Sequence, residues 1–307
     1  MPTLRMAIQL TPRESMTVSQ RFDKFLENIR ITEEQAADGT VKHGGVRKCL
    51  NKHYYDSSSE SANSMLVGSW GKHTRVRPPR DIDVLFKLPS SVYQRYETKT
   101  GNKQSQLLQE VKNVLANCYT VTKMRGDGQV VIIPFSTQSV ELVPAFALND
   151  GKYWVCDTND GGKYKTFDPD AEIKAIADSD NAYAGNTRHL VRMMKKWQEN
   201  CNVPLKSFWI ELLATDFISS WQYHGKSSVY YDWMVRDFFY YLVNTKANGY
   251  VIVPGTYEII WIGSDWKSRA ESAYDRAVKG VAYEAENKDF DAWWEWKNIF
   301  GDDVPRD

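Results

Sequence analysis

The stretch that most restricts how this chain can fold is Gly68 to Phe86, GSWGKHTRVRPPRDIDVLF. At its end, Asp81 and Asp83 are set into the apolar run Ile82, Val84, Leu85 and Phe86, which reads as a buried strand. Side chains two apart on a strand share a face, so the two aspartates project together. Adjacent carboxylates repel unless something positive lies between them, and a divalent cation with oxygen ligands meets that need. Upstream, Gly68, Ser69 and Gly71 make a turn of small residues whose backbone N–H groups can approach an anion closely. A phosphate cradle followed by a metal-holding acid pair describes a site for a nucleoside triphosphate. Either half alone is a weak signal, since most D-x-D sequences cap turns or face water. Arg75, Arg77 and Arg80 suit phosphate contacts and a solvated loop equally well.

Length and charge narrow the classes. A chain of 307 residues can build one large or two modest domains with a proper core. Its 39 basic and 39 acidic residues cancel, so no global field draws it to a membrane or to long duplex nucleic acid. Cys49, Cys118, Cys156 and Cys201 are scattered without a C-x-x-C pair, which predicts a reduced cytoplasmic chain rather than a disulfide framework. His189 and Cys201 are too isolated to suggest zinc. The opening MPTLRMAIQL is too short and mixed for a signal peptide or a membrane span, and residues 1 to 16 read as a loose arm.

Periodicity places the remaining elements. Phe22, Phe25, Leu26 and Ile29 have helical spacing, and Thr32 before Glu33, Glu34 and Gln35 reads as the cap of a second helix. Gly44-Gly45 should weaken that helix, with Val46 to Tyr55 resuming it. Residues 57 to 64 read as a loop, and Gln104 to Ala116 as a helix. Two strands follow, 129 to 135 and 139 to 146. Glu141 sits in the second, between Val140 and Leu142, which point to the core. A glutamate in so apolar a strand is either a third metal ligand or an edge charge facing water. Residues 147 to 168 form a Gly- and Asp-rich connection with a lobe boundary near 165, too rich in aromatics at Tyr153, Trp154 and Tyr164 for a flexible linker. In the helix from Thr187 to Asn200, Leu190, Met194 and Trp197 form an apolar stripe. Arg192, Lys195, Lys196 and Glu199 form the polar one. Pro204 should open the next helix, placing Ser207 in a first turn that welcomes phosphate.

The pattern G-S-(W/Y)-G-(K/R)-x-T-x-(V/L)-R followed by D-x-D resembles the nucleotidyltransferase superfamily of the 2′-5′ oligoadenylate synthases and cyclic GMP-AMP synthase. It is most similar to their bacterial relatives, the CD-NTases of CBASS anti-phage signalling. The P-G-T turn, the I-G-x-x-W-x-S-R-A segment and the closing W-(K/R)-x-I-F-G extend the likeness over residues 20 to about 305. The resemblance implies an α+β protein. Residues 1–165 would form a mixed-sheet catalytic lobe of the DNA polymerase beta-like kind, braced by amino-terminal helices. Residues 166–307 would form a helical lobe that grips base and triphosphate.

The resemblance also implies roles. Asp81, Asp83 and Glu141 become the catalytic, metal-binding acids for Mg²⁺, with Mn²⁺ as the alternative; the family usually has aspartate where Glu141 stands. Gly68 and Ser69 hold phosphates, as do Ser207 and Lys195, with Lys196 the rival of Lys195. Phe208 stacks on a base. The implied activity makes a cyclic di- or trinucleotide from ATP, with GTP as a second candidate, and releases pyrophosphate. A downstream effector would act through the product, and the activating partner is not named by the residues. Linear oligoadenylate synthesis, RNA tailing and a decayed nucleotide-binding scaffold are the alternatives. Base identity, linkage and ring size stay open.

Overall fold

The computed structural model describes residues 16–120 and 122–306, so the arm expected at residues 1 to 16 lies almost wholly outside the described residues. Helix α1 (Val18–Asn28) buries Phe22 and Phe25, and Ile29 just beyond it, as their spacing predicts. Thr17 and Gln20 close a reciprocal cap on α1, and Thr32 and Gln35 do the same for α2 (Glu33–Tyr55). Contrary to expectation, α2 runs unbroken through Gly44-Gly45. Packing explains this. A Cβ at Gly39 would lie 2.4 Å from the Trp70 ring, and one at Gly45 would lie 2.7 Å from the Tyr119 hydroxyl. Close approach of these neighbours outweighs the cost of about 1 kcal/mol that each glycine brings to a helix.

Strand β1 (Ser64–Leu66) leads into the single turn α3 (Gly68–Gly71), and an arginine-rich loop then enters β2 (Asp81–Lys87). Two helices follow, α4 (Ser90–Glu97), which no sequence signal indicated, and α5 (Lys103–Cys118). Strands β3 (Arg125–Asp127), β4 (Val130–Pro134) and β5 (Ser139–Ala147) complete the centre of the sheet, whose order is β1-β2-β5-β4-β3. Residues 147 to 168, read as a connection, instead extend the sheet. They form the hairpin β6 (Tyr153–Asp157) and β7 (Lys163–Phe167), with β6 paired to the end of β5. Strands β2 and β5 are parallel neighbours, and β5 is interior, so Glu141 is not an edge charge.

The remainder is helical: α6 (Pro169–Ala182), α7 (Asn186–Asn200), α8 (Ser207–Ser220), α9 (Tyr231–Tyr241), α10 (Lys267–Ala285) and α11 (Asp289–Phe300). A small hairpin, β8 (Tyr250–Ile252) with β9 (Ile259–Trp261), interrupts them. Helix α8 starts at Ser207 rather than Pro204, because Val203 and Leu205 are both buried and anchor the entry segment. Two main cores result. One gathers α1 with the carboxy-terminal helices, and the other gathers α2 and α5 with the sheet. The two amino-terminal helices therefore serve both halves.

Cys49 on α2 and Cys118 at the end of α5 form a disulfide, which corrects the expectation of a chain without one. The partners are 69 residues apart, and only the packing of α2 on α5 brings them together. Cys156 and Cys201 are free thiols. Among the described residues, no helix is long and apolar enough to cross a membrane.

Candidate active site

Asp81 and Asp83 on β2 share a sheet face with Glu141 on β5, and Asp83 lies directly across from Glu141 in the register. Ile82, Val84, Val140 and Leu142, which alternate with them, are fully buried beneath the sheet. Each acid offers one oxygen, and these atoms all lie within 4.8 Å of one another. Burial first, then the charges of Asp81 and Glu141, push the Asp83 carboxyl up to about 7; Lys72 works in the opposite direction. Three hard oxygen donors that resist joint ionisation fit a divalent cation.

The Gly-Ser turn is sewn onto this strand. Val67 N–H donates to the Asp83 carbonyl at 3.0 Å. Gly68 adopts φ +54°, and a Cβ there would lie 1.9 Å from an Asp83 carboxylate oxygen, so no other residue fits. Trp70 is buried beside Gly39 and His43 of α2, which holds the turn from behind. Arg75 lies across the Trp70 ring at 4.5 Å.

A cleft of about 430 Å³ joins the halves, and Gly68, Ser69, Asp81, Asp83, Lys195, Ser207 and Phe208 all line it. The Ser207 hydroxyl donates to Gln198 Oε1 at 2.9 Å from the first residue of α8. Arg75 and Arg80 also face the cleft, whereas Arg77 turns away to donate to the Asn28 carbonyl. Of the two lysine candidates, only Lys195 lines the cleft. Lys196 pairs with Glu199 at 3.0 Å and Asp303 at 2.8 Å.

Neither lysine lies on a solvated stripe, contrary to the helical-wheel reading, because α7 is buried on both sides. Lys195 Nζ donates to Glu211 at 2.7 Å and to the Thr74 hydroxyl at 2.9 Å. Beside it, Lys72 is buried against Glu172 at 2.7 Å and Glu211 at 3.1 Å. Burial would raise the Glu211 carboxyl, but Lys195 and Lys72 overcome it and hold the group down to about 2. The Lys72 ammonium also sits 4.4 Å from the centre of the Phe208 ring, covering the face it contacts. Sequence reasoning missed Lys72, Glu172 and Glu211 as site residues. Lys72 lay within the quoted motif, and Glu211 stands one helical turn after Ser207. Glu172 carried no local signal.

Residues 16–180 match the Second Messenger Oligonucleotide or Dinucleotide Synthetase domain. The chain belongs to that family. It is a bacterial CD-NTase, a nucleotidyltransferase of the group that makes cyclic oligonucleotides in CBASS signalling. The synthetase is similar to a probable cyclic nucleotide synthase of Bacillus cereus (strain VD146), 22% identical over 94% of this chain and 98% of the relative. It is also similar to the CBASS oligonucleotide cyclase CdnC of Escherichia coli (strain KTE188), 27% identical over 61% of this chain and 60% of the relative. The solved structure of E. coli MS115-1 CdnC with ATP shares its fold, with a TM-score of 0.63 and 17% identity, covering 94% of this chain and 98% of that one.

Proposed function

We propose that this synthetase joins nucleoside triphosphates, with ATP the leading candidate and GTP the second, into a cyclic di- or trinucleotide, releasing pyrophosphate. The supporting observation is that three acids within 4.8 Å of one another stand beside the Gly-Ser turn, in a cleft that also holds Ser207 and Phe208. In this reading residues 1–165 supply the acids and the turn, and residues 166–307 supply the base and triphosphate contacts. Mg²⁺ held by Asp81, Asp83 and Glu141 would neutralise phosphate charge and acidify the acceptor ribose hydroxyl.

The chain's own groups do the positioning. Ser69 Oγ and the backbone N–H groups of Gly68 to Trp70 hold the phosphates that leave. Glu141, on an interior strand, orients the acceptor hydroxyl and takes its proton. The first turn of α8 at Ser207 faces the triphosphate with free N–H donors. Lys195 adds positive field from within its bonds to Glu211 and Thr74 rather than as a freely extended arm. Phe208 offers a base the ring face that Lys72 leaves open. A second round on the reversed linear intermediate closes the ring, and a downstream effector reads the product.

The test is incubation with all four triphosphates and Mg²⁺. Pyrophosphate release and a phosphatase-resistant product are expected. The Asp81→Ala/Asp83→Ala variant should lose both while its circular dichroism is unchanged. Continued pyrophosphate release from that variant would sink the site assignment. A phosphatase-sensitive ladder would point to linear oligoadenylate or RNA tailing instead.

A further inference from the structure

Behind the Gly-Ser turn lies a second cavity, about 520 Å³ in volume, whose walls carry Arg30, His73, Arg75, His189 and Arg192. Three segments far apart in sequence supply these side chains: the turn after α1, the loop after α3, and one face of α7. Among the described residues, no carboxylate forms an ion pair with Arg30, Arg75 or Arg192. Glu27 at the rim pairs with Lys24 at 2.8 Å. Asp180, the acid acting on Arg192, is taken by Arg188 at 2.7 Å. The contacts that remain to the half-buried Arg75 and Arg192 are to neutral groups. Arg192 donates to the His73 carbonyl at 2.8 Å, and Arg75 rests on the Trp70 ring and carbonyl.

Two fully buried cations elsewhere are answered by acids: Arg21 by Glu284 and Asp289, and Lys72 by Glu172 and Glu211, whereas Arg47, also buried, has no acid partner among the described residues. Here burial, and then Arg30, depress the Arg75 guanidinium. Burial also depresses Arg192, and Arg188, Arg30 and Arg75 add to that against the pull of Asp180. Burial and neighbouring arginines lower both imidazoles as well, leaving them neutral donors or acceptors at neutral pH. Gathering guanidiniums that repel one another in a half-buried cavity costs stability unless an anion answers them.

We propose that this cavity is a second anion site that takes adjacent phosphates, either free pyrophosphate or the triphosphate tail of a nucleotide. Planar guanidiniums bind phosphate oxygens in pairs, and three of them match a small ligand bearing several negative charges. The cavity is compact and flanked by Leu26 and Ile31, and the chain has no net positive charge, so a short anion suits it better than a polynucleotide track. Arg75 lines both this cavity and the triphosphate cleft. An anion here therefore grips the same guanidinium that covers the Trp70 ring of the Gly-Ser turn. The site stands whatever cyclic or linear product the synthetase makes.

Calorimetric titration of the full chain with inorganic pyrophosphate, in chelator and low salt, tests this without any need for turnover. Saturable binding is expected, weakened about tenfold or more by Arg30→Gln or Arg192→Gln, as loss of a charge-assisted contact should do. Ser69→Ala, which alters the triphosphate cleft and not this cavity, separates the two: heat lost with Ser69→Ala belongs to the cleft, and heat lost with Arg30→Gln or Arg192→Gln belongs to the cavity. Competition by ATP but not adenosine would assign the site to triphosphate tails as well, and absence of competition would assign it to free pyrophosphate. Arg30 is exposed, so its variant should fold even if the one at Arg192 does not. The proposal is overturned if pyrophosphate gives no saturable heat, or if Arg30→Gln binds as wild type does. Loss of binding in Ser69→Ala alone, or binding only of a duplex oligonucleotide, would also overturn it.

Discussion

Asp83 carries the sharpest electrostatic strain in the site. Its carboxyl moves from an ordinary 3.8 to about 7, through burial first and then Asp81 and Glu141. A carboxyl raised by folding favours the folded state fully below 3.8 and loses that contribution as pH climbs to about 7. The melting temperature of metal-free protein should therefore fall across this window, and fall less in Asp83→Asn. Mg²⁺ should restore the wild type, because the cation replaces the proton. Equal pH slopes for the two proteins would contradict this account. Gly68 makes a second prediction at this scale. A Cβ 1.9 Å from the Asp83 carboxylate must displace an acid or the turn. Gly68→Ala should then lower pyrophosphate release by about 100-fold, the usual cost of moving a catalytic group by about 1 Å. Circular dichroism would check that the fold survives.

Among the elements, α2 shows how a local rule is overruled. Glycine to alanine in a helix normally adds about 1 kcal/mol of stability. At Gly39 the new methyl would meet the buried Trp70 ring at 2.4 Å, and that ring cannot move aside. Gly39→Ala should therefore destabilise by about 1–3 kcal/mol in denaturant unfolding, the range for overpacking. A stabilised variant would show that the helix and the turn are not in register as described. The cap at Thr32 and the spacing of Phe22 and Phe25 could be read directly, since capping and periodicity act within a few residues. The hairpin β6–β7 could not. Its strands are short and set among Gly and Asp, and they form because Ala145 to Ala147 offer β6 a free edge.

Across the whole molecule, Glu211 joins the halves. It accepts from Lys195 on α7, from Thr74, and from Lys72 beyond the Gly-Ser turn, while Glu172 on α6 takes the other side of Lys72. Removing one buried partner strands a charge, so Glu211→Ala should cost about 3–5 kcal/mol in unfolding free energy. A Lys195→Met/Glu211→Met pair should lose less than the sum of the single changes, and additivity would show that the two side chains are not coupled.

Much of the candidate site was legible locally. Alternation along β2 and β5 put three acids on one face, and the Gly-Ser pair marked the turn above them, because strand periodicity decides which way a side chain points. Periodicity does not say what lies opposite. Lys195 stood on the polar stripe of its helix yet is only 7% exposed, because α7 is covered on both faces. Its network depends on partners up to 139 residues apart, and the cysteine pair and the cation cavity likewise depend on how distant segments cross. Pairing of buried charges is settled by three-dimensional proximity, where desolvation makes each ion depend on its neighbours, and no spacing along the chain encodes that.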